Sequence, residues 1–219
     1  MPTIRTRAAT ALMLLALLAA CQDKQARQPT RANFTAAVVD YLAQRGHVCV
    51  AKYDWPIAVT DADRQAHSLD AQQMPVLETL GLVASREVSV SHKGADGTRA
   101  ALPAREYALT AEGQKYYLHV PVVVVTPTLH VTHPADFCVA KLSLDRVFGW
   151  ETPQTINGRT VSSVLFSYRI TDPAPWMATQ DARSAFPMAM RAIANAGTLQ
   201  LRLGIHLTPR GWVADELSE

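Results

Sequence analysis

A run of apolar residues from Ala8 to Ala20, broken only by Thr10 and preceded by Arg5 and Arg7, decides where the fold of this chain begins. A positive flank followed by about a dozen apolar residues is the layout of a secretory signal, too short to span a bilayer comfortably as a lasting anchor. Residues 1–20 are therefore expected to be a removable leader. Export also sets the redox conditions in which the body folds, because outside the cytoplasm two cysteines are free to pair. The chain has 219 residues, 48% apolar and 18% charged, a composition that excludes disordered, collagen-like and disulfide-dense classes. Arg5 and Arg7 leave with the leader, so 21 basic residues become 19, against 19 acidic ones. A body of zero net charge carries no electrostatic footprint for nucleic acid, and none is expected as a partner.

The leader ends in Leu18-Ala19-Ala20-Cys21, which resembles the lipobox of bacterial lipoproteins. The resemblance implies transfer of diacylglycerol to the Cys21 sulfur, cleavage before Cys21 and acylation of the new amino group. Membrane lipid is then the first partner, held through acylated Cys21. Each buried methylene contributes roughly 0.8 kcal/mol, so one chain holds marginally and two or more hold stably. Gln22 rather than Asp follows the cysteine, which by the enterobacterial sorting rule implies the outer membrane, periplasmic face. The polar stretch 22–32 has no apolar periodicity and reads as a tether, making 21–32 anchor and tether. No later segment approaches the 18 or so apolar residues of a membrane span.

With Cys21 assigned to lipid, Cys49 and Cys138 remain. They form either a disulfide closing a loop of nearly ninety residues or two buried thiols acting as small apolar groups. Neither is flanked by further ligands at metal spacing. His130-x-x-His133 lies outside any helical pattern and Asp61-x-Asp63 lacks the rest of a calcium loop; two ligands are too few for a zinc site, so no metal is expected. No nucleophile elbow, Walker loop, Rossmann glycine pattern or paired Cys-x-x-Cys is present, and no cofactor is expected.

Periodicity divides the body in two. Phe34, Ala37, Val38, Tyr41 and Leu42 predict a helix from Asn33 to Gln44, stopped by Gly46. His47 to Val50 looks extended. Ser68 is placed to cap a second helix with Leu69, Met74, Leu77 and Leu80, although Pro75 offers an alternative start. Strands are predicted at Arg86–Ser91 and Arg105–Leu109, then a short helix from Ala111 to Leu118 behind Thr110. The Pro-punctuated stretch 120–135 reads as an extended linker. Beyond it, strands are predicted at Lys141–Phe148, Arg159–Ile170 and Leu199–Leu207, with Asn157-Gly158 as a hairpin turn. Ala182 to Ala196 predicts a helix with Pro187 as a kink and Gly197 as its stop. The expectation is an α+β protein of two small modules, 33–119 and 136–219, the second a short antiparallel sheet with one helix.

The run Leu77-x-x-Leu80-Gly81-Leu82-Val83, a strand, a charged hairpin and Tyr107-x-Leu109-Thr110-x-x-Gly113 is similar to winged-helix domains of bacterial regulators, which implies winged-helix-like packing in the first module. The helix in the recognition position carries Asp70 and Glu78 and no Lys or Arg, a departure from winged helices that bind DNA. Phe137 to Lys141, Trp150 to Pro153, Asp172 to Trp176 and Leu207 to Trp212 together resemble lipoproteins of the proteobacterial envelope. That resemblance implies a compartment and no activity.

Trp55, Trp150 and Trp176 sit beside Pro or Gly at element boundaries, positions that suit either a core edge or an aromatic rim for a partner. These three are the candidate partner-binding residues. Lys52 and Lys141 each follow a cysteine by three residues and read as solvated strand-end lysines. The expected function is a non-enzymatic, lipid-anchored envelope protein binding an envelope protein or a cell-wall partner. The alternative is a periplasmic hydrolase-type enzyme whose site is dispersed in sequence.

Overall fold

A computed structural model of the protein describes residues 24–93 and 99–217. Cys21 and the leader lie outside them. The described chain is α+β with antiparallel sheets, and it forms two compact units that do not follow chain order. The first comprises the described residues of Met1–Gly46, Leu142–Arg169 and Ala196–Glu219; the second comprises those of His47–Lys141 and Ile170–Asn195. This differs from the expected contiguous modules 33–119 and 136–219.

The reason lies in helix α1 (Arg31–Arg45). Its N-cap is Thr30, whose hydroxyl accepts from the Asn33 N–H at 3.3 Å. Asn33 lies inside the helix, and its side-chain amide donates to the carbonyls of Gln25 and Gln28 at 2.7 and 2.8 Å. The apolar face of α1, Phe34, Ala37, Val38 and Leu42, is buried. It closes on strands from the other end of the chain: β8 (Asp136–Trp150), β10 (Arg159–Thr171), β11 (Leu201–Thr208) and β12 (Gly211–Ala214). Val147, Val164, Phe166, Leu203, Ile205, Trp212 and Ala214 complete that core. The period-2 face of β10 and β11 needs an apolar cover, and α1 supplies it.

Asn157 and Gly158 adopt φ of 50° and 78°, the doubly positive pair of a type I′ turn, between β9 (Gln154–Ile156) and β10. Gly46 ends α1 where a Cβ would lie 2.3 Å from the Leu42 carbonyl oxygen and 2.9 Å from that of Leu142.

The second unit begins with β1 (His47–Cys49), which pairs with the first residues of β8. It continues through β2 (Ile57–Thr60), α2 (Asp61–Gln65), α3 (Leu69–Thr79), β3 (Val83–Lys93) and β4 (Arg99–Leu109). These three strands form an antiparallel sheet in the order β2-β4-β3. Asp61 and Asp63 begin α2, where Asp63 completes a capping box with Thr60. Ser68 caps α3 and Pro75 lies within it, so the helix starts at Leu69.

Thr110 caps α4 (Ala111–Gln114) by accepting from the Gly113 N–H at 3.1 Å. The motif glycine has a packing reason: a Cβ at Gly113 would sit 1.9 Å from the Leu82 carbonyl oxygen. Gly113→Ala is expected to lower stability by about 1–3 kcal/mol through this overpacking, measured as a urea midpoint shift. An unchanged midpoint contradicts the close approach.

The helix expected over Ala111–Leu118 stops at Gln114, and Tyr117–Leu118 form β5 against β8. The expected linker 120–135 is a β-hairpin instead, β6 (Val122–Thr126) with β7 (Leu129–His133), turning through Pro127 and Thr128. Residues 180–194 form two helices, α5 (Gln180–Ala185) and α6 (Pro187–Ala194). Pro187 starts a new helix rather than kinking one, as its missing N–H and fixed φ favour. Among the described residues no helix is long and apolar enough to cross a membrane.

Candidate functional site

Cys49 and Cys138 stand opposite each other on β1 and β8 and are joined by a disulfide. Immediately after Cys49 the chain leaves the strand through Ala51, whose φ of 58° is uncommon for a residue with a side chain. Asp136 fixes this turn. Its Oδ1 accepts the Lys52 N–H at 2.8 Å and the Phe137 N–H at 2.7 Å, and the Ala51 amide also donates to the carboxylate. Burial pushes the Asp136 carboxyl above its ordinary range, opposed by those backbone hydrogen bonds and by the charge of Lys52.

Asp136→Ala would leave these N–H groups without their acceptor. A loss of about 2–3 kcal/mol is expected, while Asp136→Asn keeps an oxygen at the same place and should cost less than about 1 kcal/mol at neutral pH. The raised folded value also sets a pH signature. The unfolded carboxyl loses its proton first, so wild-type stability falls as pH rises from about 4 through the folded value. Asp136→Asn lacks that fall. Urea titrations across this window check both, and equal losses for the two variants contradict the acceptor role.

Turned inward by Asp136, Lys52 is not a solvated strand-end lysine. Its side chain is 4% exposed, and its Nζ lies 3.0 Å from Asp70 Oδ1, which is 46% exposed. Lysine is almost never buried without a partner, and Asp70 on the first turn of α3 is that partner. One turn further along α3, Gln73 donates its amide N–H to the Ala185 carbonyl at 2.8 Å, while its Oε1 is buried without a partner. Lys52, Asp70 and Gln73 line one cleft of about 390 Å³ with Leu69, Phe186 and Met188. Leu69 and Met188 are 69% and 70% exposed. The cleft thus offers one cation and one anion on apolar walls, a pair of charges suited to orienting a small ligand.

Of the three tryptophans, Trp55 and Trp176 both pack on Phe137 in the second unit. Trp176 is 9% exposed, with its ring 5.8 Å from Tyr116, 6.1 Å from Phe137 and 5.8 Å from Phe186. This is a core residue; its neighbours leave no face for a partner. Trp55 is half-buried beside Phe137 at 6.1 Å. Trp150 belongs to the other unit, edge-on to Phe34 at 5.3 Å with the Arg31 guanidinium over its ring. It lines a cavity of about 270 Å³ with Phe148, Ser163 and the Glu151–Arg202 ion pair.

His130 and His133 are three apart on a strand, which places them on opposite faces. His133 stacks on Tyr53 at 4.2 Å and pairs with Asp54 at 3.0 Å. Among the described residues no group of three or more His, Cys, Asp or Glu converges as metal ligands do.

Sequence reading missed Lys52 as a site residue and did not consider Gln73. The one available signal was Asp70 in a first turn on the same helix face as Gln73. No family model matches the chain, and no curated protein or solved structure matches it either.

Proposed function

We propose that this chain is a lipid-anchored, periplasm-facing lipoprotein of the outer membrane whose body binds a partner in the envelope. The observation that carries the reading is the junction Leu18-Ala19-Ala20-Cys21, behind a positive flank and an apolar run and ahead of a polar tether. Acyl chains on Cys21 supply membrane affinity, and among the described residues of the body no helix is long and apolar enough to cross a membrane. The cleft of Lys52, Asp70 and Gln73 supports the binding half of the proposal.

Winged-helix-like packing belongs to the same reading. It is supported by the succession of strand β2, helices α2 and α3, and a hairpin whose last strand returns beside β2. In this unit α3 serves as a cleft wall, with Asp70 and Glu78 where a DNA-binding helix carries basic residues.

Fractionation of envelopes on a density gradient tests the anchor. The wild-type chain is expected with outer-membrane vesicles and protected from added protease until the outer membrane is permeabilised. Cys21→Ala is expected to leave that fraction. Wild-type protein in the soluble periplasmic fraction, or a Cys21→Ala chain distributed like wild type, contradicts the proposal.

A further inference from the structure

We infer that the Lys52 cleft takes a small zwitterion on an apolar body, the chemistry of an apolar α-amino acid. The inference rests on reading this cleft as a binding site; it does not depend on the anchor. Size sets the first limit. At about 390 Å³ the cleft lies near the small end of the roughly 300–1,000 Å³ range of ligand cavities, enough for one compact molecule.

Charge sets the second. Lys52 Nζ and Asp70 Oδ1, 3.0 Å apart, form a neutral pair that presents both signs to the cleft. A simple anion drawn to Lys52 meets the Asp70 carboxylate, and a simple cation drawn to Asp70 meets the ammonium. A molecule carrying both signs completes an alternating ring of four charges, with each group beside an opposite one. Exposure then decides which end lies where. Asp70 is 46% exposed against 4% for Lys52, so the ligand ammonium meets Asp70 on the open side of the pair.

The ligand carboxylate lies toward Lys52 and the start of α6, an eight-residue helix whose first turn has no side-chain cap. The positive end of that helix's dipole favours negative charge, although Pro187 itself supplies no N–H. The apolar body rests between Leu69, Phe186 and Met188, two of which are otherwise largely exposed.

Calorimetric titration of the full mature chain in mild detergent tests this with three probes of one apolar body. L-leucine carries both charges, 4-methylpentanoate lacks the ammonium, and 3-methylbutylamine lacks the carboxylate. Leucine is expected to bind, with each truncated probe at least about tenfold weaker, the usual worth of a lost charge-assisted hydrogen bond. Asp70→Asn, at a half-exposed first-turn position that tolerates the change, is expected to weaken leucine about tenfold and to leave or improve 4-methylpentanoate. Lys52→Met is expected to abolish leucine binding, and Asp70→Asn keeps the test decisive should Lys52→Met fail to fold.

Equal binding of 4-methylpentanoate and leucine overturns the inference in favour of a plain carboxylate site. No heat from any probe with folded wild-type protein overturns the cleft as an amino-acid site, while leaving the anchor reading untouched.

Discussion

Replacing Cys49 and Cys138 together by alanine is expected to lower the unfolding free energy by about 4–5 kcal/mol, the chain-entropy value for a loop of this length. The two cysteines are 89 residues apart in sequence and bonded across β1 and β8. Without the bond, the unfolded chain regains the freedom of that whole loop. The loss is large because it approaches the total stability of an ordinary domain. Urea unfolding of oxidised wild type, reduced wild type and the double variant checks it. The last two should coincide within about 1 kcal/mol, because removing the thiols adds only a small cavity term. A double variant as stable as oxidised wild type contradicts the role given to the bond. The same bond anchors the start of the turn that carries Lys52, so the cleft should loosen with it.

Phe34→Ala is expected to cost about 3–5 kcal/mol, the range for deleting a fully buried aromatic side chain. Phe34 is 0% exposed and meets Trp150 and Trp212 edge-on, at ring separations of 5.3 and 4.8 Å. Each such contact adds about 0.5–1.5 kcal/mol beyond burial. Because Trp150 and Trp212 come from β8 and β12, the near-ultraviolet circular dichroism of tryptophan should change along with the unfolding midpoint. A loss under about 1 kcal/mol with an unchanged tryptophan spectrum would mean that α1 does not close this core.

That core shows where sequence reading reaches and where it stops. The apolar stripe Phe34, Ala37, Val38, Tyr41 and Leu42 is a local signal at helical period, and α1 lies where it points. So does the Asn157-Gly158 turn, because positive φ at both positions is a property of two adjacent residues. Which surface the stripe covers is a non-local fact, and nothing in the stripe distinguishes the strands that follow it from those more than a hundred residues away. Contiguous modules were the natural expectation, and the chain instead returns to the first unit after residue 141 and again after residue 195.

Short and punctuated strands were hidden for a related reason. Ile57–Thr60 is four residues behind Trp55-Pro56, and Pro127 makes two paired strands look like one extended linker. At the site, Lys52 looks like any strand-end lysine until Asp136 turns it inward and Asp70 meets it from another element. Trp176 has the boundary position of a rim residue, but Tyr116, Phe137 and Phe186 surround it only in three dimensions.

The mass of the N-terminal peptide of protein purified from envelopes decides whether Cys21 carries lipid. The expected mature chain begins at Cys21, with a diacylglyceryl group on sulfur and an acyl group on the amino terminus, and Cys21→Ala is expected unprocessed and unmodified. A mature N-terminus at another residue, or an unmodified Cys21, would contradict the anchor.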